Sequence, residues 1–252
     1  MDEGIIRQAF KLGNSAGVLL PVGWNGRKVI IKLLKKPINQ EVIEILEERD
    51  LLKNTLGIYL TGSYSRNEET ESSDVDILVI TDKINLQIKK DKYEIVLVSK
   101  EKFEKKFQKD LYLYSMIREA RAIMNNELLE KYKNKNSKIQ INKIITEIKA
   151  VTKINEKAVS LDEELGIKVS DGTVYSIILR LRELYLIKCL KEKKSPTNKE
   201  FLKIIKSSGS EGSYESYLRI KNDKKPRKVV SVIEANLLIN ELKNMIEEIK
   251  NG

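Results

Sequence analysis

The chain has 252 residues, a net charge of +10 from 47 basic and 37 acidic side chains, and no histidine. That length serves one large domain or two to three small ones, and 41% hydrophobic with 33% charged residues describes a soluble globular protein with a heavily charged surface. The missing histidine excludes the commonest general base, Ser-His-Asp chemistry and nearly every zinc site, so any catalysis runs on carboxylates, lysines, hydroxyls and bound metal.

Residues 1–36 read as short strands, IIRQAFKL, GVLLP and KVIIKLL, separated by turns at Gly13-Asn14 and Asn25-Gly26 and closed by Pro37. In the middle segment QEVIEILEERDLLKN has apolar residues at helical spacing over an acidic outer face. Strands follow at GIYLT (57–61), VDILVI (75–80) and YEIVLVS (93–99), then helical stretches around EKFEKKFQKD and YSMIREA. The lysine-asparagine run KYKNKNSK (131–138) reads as a linker. From about 138 onward the apolar spacing is helical: INKIITEIKAVTKINEKAV, TVYSIILRLRELYLIKCLKEK, NKEFLKIIKSS and VVSVIEANLLINELKNMIEEIK predict a bundle of four or five helices. Ser170 or Asp171 can cap the second, and Ser195-Pro196-Thr197 opens the third. The expected fold class is α+β in three parts: a small β-hairpin module (1–37), a mixed sheet with helices (38–135) and a helical bundle (136–252).

The phrase that carries chemistry is LTGSYSRNEETESSDVDILVI. Residues two apart on a strand share a face, so Asp74 and Asp76 project together while Val75, Ile77 and Val79 face the other way. Paired carboxylates repel unless a cation lies between them, and Mg²⁺ suits such a pair when phosphate completes its ligands. Gly62 lets backbone approach a phosphate closely, and Ser63 stands where a helix would begin, with its hydroxyl and exposed N–H groups.

A strand ending in Gly-Ser, then Asp-x-Asp in an apolar strand, resembles the signature of the DNA polymerase beta superfamily. Ser-Tyr-Ser-Arg after the glycine and Ser-Asp-Val-Asp later are similar to its minimal nucleotidyltransferase branch, over roughly residues 40 to 130. The resemblance implies that Gly62 and Ser63 hold nucleotide phosphates and that Asp74 and Asp76 bind two Mg²⁺ ions. It implies a third carboxylate on a neighbouring strand as metal ligand and catalytic group: Glu94 by position, where the family more often has aspartate, with Asp91 the fallback. Arg66 is assigned to the triphosphate, although similar proteins usually follow that arginine with glycine and this chain has Asn67. Ser65 and Ser73 add hydrogen bonds to the nucleotide. The implied reaction passes a nucleoside monophosphate, AMP from ATP, to a hydroxyl on a protein, RNA or small-molecule acceptor.

FKLGNSAGVLLPVGWNGRKVIIKLL resembles the swapped-hairpin domain of AbrB-like and MazE-like regulators, which implies a homodimer and, through Arg7, Lys11, Arg27, Lys28, Lys32, Lys35 and Lys36, a surface that can bind DNA. The alternative function is a DNA-binding regulator or antitoxin-like protein whose transferase core is inactive or only senses nucleotide. The bundle stands where such transferases carry an acceptor-side or HEPN-like domain, and without histidine the HEPN ribonuclease reading fails. Arg180 and Arg182, which interrupt an apolar helix, either bind an acidic acceptor or pair with Glu183 and other acids. Tyr214, Tyr217, Arg219 and KNDKKPRK either touch nucleic acid or form a charged loop. No apolar run reaches the roughly 20 residues of a membrane helix, the amino terminus reads as neither signal nor transit peptide, and the single Cys189 allows no internal disulfide, so the expected location is cytoplasmic.

Overall fold

In the computed structural model the described residues are 5–32, 36–71 and 73–251. They divide into two compact units, residues 1–44 and 45–252. The first contains a short hairpin, β1 (Phe10–Leu12) with β2 (Ser15–Gly17), turned at Gly13, whose φ of +59° suits a residue without a Cβ. A 3₁₀ turn covers Val22–Trp24. The strand expected over KVIIKLL is not formed across residues 28–32, and the rest of it (33–34) lies outside the described residues, as do residues 1–4, 35, 72 and 252. None of residues 5–32 is buried: Ile6, Val22 and Ile30 are 79%, 91% and 97% exposed. Helix α1 (Ile38–Glu47) spans the boundary between the units and stops short of the expected end, because Asp50 turns the chain at φ 55°.

The second unit begins with a five-stranded sheet in the order β5-β6-β4-β3-β7, formed by β3 (Thr55–Thr61), β4 (Val75–Thr81), β5 (Leu86–Lys90), β6 (Tyr93–Ser99) and β7 (Arg121–Met124). Only β4 and β6 run parallel, so the sheet is mixed. β5 and β7 were not legible in the sequence. LQIKK has few β-branched residues and RAIM is four long, and both are edge strands recruited by pairing rather than by propensity. On one sheet face Tyr59, Leu78 and Ile80 pack on α3 (Lys100–Lys106), α4 (Leu111–Glu119) and α5 (Asn126–Lys133) through Phe103, Phe107, Tyr114, Ile117 and Tyr132. The first part of the presumed linker KYKNKNSK is therefore the last turn of α5.

Five helices follow: α6 (Ile141–Glu164), α7 (Asp171–Lys191), α8 (Asn198–Ser208), α9 (Glu211–Lys221) and α10 (Val232–Asn251). Helix α7 is apolar nearly all round, as the central rod of a bundle must be, with Val174, Ile177, Ile178, Leu181, Leu184 and Ile187 fully buried. Ser170 is its N-cap, accepting from the Thr173 N–H at 3.2 Å, and Thr197 caps α8 by accepting from Glu200 at 3.1 Å. Helix α9 takes in Tyr214, Tyr217 and Arg219, while KNDKKPRK (221–228) runs from its last residue through a turn and open stretch to β9; the missed signal for the helix is its Ser210 cap, which accepts from the Ser213 N–H. A two-strand ribbon, β8 (Val169–Ser170) with β9 (Lys228–Val230), ties the start of α7 to the chain after α9. Among the described residues no helix is long and apolar enough to cross a membrane.

Candidate active site

Strand register aligns the candidate residues in one row across the sheet. Thr61 pairs with Asp76, Asp76 with Glu94, and Glu94 with Lys89, so β3, β4, β6 and β5 each place a residue on that line. Registered neighbours share a face, which puts the Asp76 and Glu94 carboxylates on the same side. Asp74 stands two residues before Asp76 and is exposed. Asp91 instead occupies the β5–β6 turn at φ 52°, off the row.

Gly62 follows Thr61 at φ +68°, in the region that favours glycine. Space demands glycine as well, because a Cβ there would overlap the Asp76 carboxylate. Gly62 and Asp76 thus fit each other, although thirteen residues of loop and strand intervene. The short helix α2 (Gly62–Ser65) continues the turn. Ser65 is buried and donates to the Gly62 carbonyl at 2.8 Å, and Ser73 accepts from the Thr70 N–H at 2.9 Å, so both hydroxyls hold the loop's own shape. Asn67 adopts φ 55°, which explains why asparagine can stand where similar proteins have glycine: its short polar side chain tolerates the left-handed region. Its amide oxygen also accepts from Arg121 at 2.7 Å.

Arg66 is largely buried and gripped by two carboxylates, Glu68 and Glu119, at 2.8 Å each. Glu68 reaches onward to the start of α8, accepting from the Asn198 N–H at 2.9 Å. Glu119 ends helix α4 near the Gly62 N–H, which favours its charged form. A chain of charge-assisted bonds therefore runs from Glu119 through Arg66 and Glu68 into the bundle. Sequence reading missed both glutamates. The available signal was Arg66 itself, since an arginine between apolar strands needs carboxylate partners once buried.

The charge balance at the row is strained. Burial first, then the nearby Glu94 and Asp74 carboxylates, push the Asp76 carboxyl above its usual range, against the pull of Lys221 at the end of α9. Burial also raises Glu119, opposed by Arg66. Glu94 is bonded to Lys89 at 2.7 Å. Among the described residues no three metal-ligating side chains converge tightly enough to form a metal cluster by themselves. The donor set still suits a hard cation. Carboxylate oxygens crowd on one face, one of them resists ionisation, and a divalent ion with phosphate oxygens would relieve that repulsion.

The flanking residues of the bundle resolve as follows. Arg180 pairs with Glu183 at 2.7 Å, as the more ordinary reading expected. Arg182 lies 5.8 Å over the Phe201 ring and donates to the Tyr217 hydroxyl at 3.4 Å. Tyr217 is buried and stacks between Tyr175 and Tyr214. Arg219 is locked in a bidentate pair with the fully buried Asp171, at 2.7 and 2.9 Å, which removes it from contact with nucleic acid.

Residues 40–157 match the family model of the nucleotidyltransferase domain. The likeness falls on this segment, which is somewhat less than half of the chain. The chemistry it carries is that of a transferase enzyme, and the row of carboxylates lies within it. Eleven solved chains match. One is a nucleotidyltransferase-like protein from Exiguobacterium sibiricum, 14% identical over 84% of this chain and 75% of that one, with a TM-score of 0.38. Another is the spectinomycin adenyltransferase of Enterococcus faecialis with ATP and spectinomycin, 14% identical over 83% of this chain and 98% of that one, with a TM-score of 0.41. No curated protein matches.

Proposed function

We propose that the chain transfers a nucleoside monophosphate, AMP from ATP, to a hydroxyl acceptor, with Asp74, Asp76 and Glu94 as catalytic and metal-binding residues. The observation that carries this reading is the fit between Gly62 and Asp76, which joins a phosphate-approach turn to a carboxylate row in one structure. Gly62 and Ser63 present the turn to the phosphates. Glu119 stands near the Gly62 N–H, and an incoming phosphate would compete with it for that donor. Arg66, through Glu119 and Glu68, fixes the turn's position and meets the triphosphate only if it exchanges one of those partners. Ser65 and Ser73 keep the loop in shape around the nucleotide. Bound Mg²⁺, two ions held by Asp74, Asp76 and Glu94, would supply positive charge to the triphosphate and the leaving pyrophosphate. Glu94, in register with Asp76, is the base placed to take the acceptor's proton. Lys221 and Lys89 border the same row as cations for the departing phosphates. With labelled ATP, the α-phosphorus should travel to the acceptor and the γ-phosphorus should leave in pyrophosphate; a γ-label on the acceptor would contradict nucleotidyl transfer.

Residues 1–37 are proposed as a module that dimerises the chain and can bind DNA through Arg7, Lys11, Arg27, Lys28 and Lys32. The supporting observation is a set of exposed apolar residues with no buried residue among 5–32, so the unit has little core of its own. Sedimentation of the full chain should give a dimer that Val22→Asp with Ile30→Asp dissociates; a wild-type monomer at micromolar concentration would oppose this.

A further inference from the structure

Two lysine-rich stretches far apart in sequence, KYKNKNSK (131–138) and KEKK (191–194), meet at one depression of about 600 Å³ between α4, the end of α5 and the end of α7. Its floor is apolar and buried, with Leu111, Tyr114, Leu186 and Pro196 among its residues. Its charged lining is Arg118, Lys133, Lys135, Lys191, Lys193 and Lys194. The chain's 47:37 ratio of basic to acidic residues would put two or three carboxylates among six charged positions, and the lining has none.

Ordinary roles account for part of this charge. Lys133 and Lys191 sit in the last turns of α5 and α7, where cations favour the helix dipole. Two helix ends carry only about one negative charge between them, however. Lys133 reaches Glu130 at 3.4 Å, Lys135 reaches Glu104 at 4.0 Å, and Lys194 reaches Glu192 at 2.8 Å and Glu200 at 3.9 Å, all from outside the depression. Such partly exposed pairs are weak and exchange readily for a phosphate oxygen. Among the described residues Arg118 and Lys191 donate to the carbonyls of Lys133 and Ile249, not to a carboxylate.

We propose that this depression binds single-stranded nucleic acid, its cationic rim taking phosphodiesters and its apolar floor taking unstacked bases. Several separated cations around a cavity of this size suit a run of phosphates better than one anion. A duplex hides the base faces that the floor would contact, which favours a single strand. Arg118, on the rim, and Glu119, which pairs with Arg66, are consecutive on α4, so the depression and the candidate site share that helix. The binding itself does not depend on transfer.

The test measures fluorescence anisotropy of a labelled oligouridylate of roughly 12 nucleotides with the full chain, in EDTA and without nucleotide triphosphate. Lys133→Glu with Lys193→Glu and Lys194→Glu should weaken binding by roughly tenfold or more and flatten its salt dependence by about two phosphate contacts. The corresponding Lys→Arg triple variant should bind like wild type, which separates charge from folding. The proposal is overturned by a wild type that does not bind, by equal binding of the Glu variant across salt, by loss of binding in the Arg variant, or by inorganic triphosphate displacing the strand at equal concentration.

Discussion

At Asp76 three demands meet on one side chain. Its carboxylate packs on the Cα of Gly62, stands in register with Glu94, and lies within the field of Asp74 and Lys221. Burial and the two like charges raise its carboxyl above the usual range, so the folded protein binds that proton more tightly than the unfolded chain does. The linkage sign follows directly. Stability from this group is fully present below the unfolded carboxylate pKa and is lost as pH rises through the folded one, so at neutral pH the ionised Asp76 is a liability. Asp76→Asn removes that charge while keeping the shape. Without metal at pH 7 it should raise Tm by about 2–4 °C, the shift for roughly 1 kcal/mol in a chain of this size. The gain should vanish in acid, where wild-type Asp76 is protonated. Equal or lower Tm for the variant at pH 7 would mean that the carboxylates are not in conflict.

Between elements, the decisive contact is Asp171 at the start of α7 with Arg219 on α9. Burial alone would raise the Asp171 carboxyl; the Arg219 guanidinium and the Arg227 N–H outweigh it and hold the group below its usual range. Here the contribution is present above the unfolded carboxylate pKa and is lost as pH falls through the folded one. Asp171→Ala leaves Arg219 without its bidentate partner and should cost about 3–5 kcal/mol. Thermal melts should drop by roughly 10 °C at pH 7 and converge with wild type in acid. A melt unchanged at neutral pH would show that the pair adds nothing to the bundle. The pair was illegible in the sequence because it links residues 171 and 219 through a helix not expected there. The helices built on strong apolar spacing were legible: α8 begins and ends where its pattern does, and β6 coincides with YEIVLVS. Edge strands β5 and β7, chosen by tertiary pairing, were not.

At the scale of the whole molecule, the strands that place Gly62, Asp74, Asp76 and Glu94 were readable because their apolar runs and the turns between them are local. Glu119 and Lys221 were not, because each comes from another element, and Glu68, two residues after Arg66, gave no sign of its bond to the start of α8. Glu68 alone of the three bonds to both sides, pairing with Arg66 and accepting from the Asn198 N–H at the start of α8, so the loop after Gly62 is tied to the bundle there. The central claim is that this assembly moves a nucleotide. Its most direct measurement is transfer of label from [α-³²P]ATP, with release of pyrophosphate, by wild type and by the Asp74→Asn, Asp76→Asn double variant, with and without Mg²⁺. Label transfer and pyrophosphate release that require Mg²⁺ and fall by at least about a hundredfold in the double variant are the predicted result; transfer that persists in the variant, or a wild type that neither binds ATP with Mg²⁺ nor labels any acceptor, would contradict it.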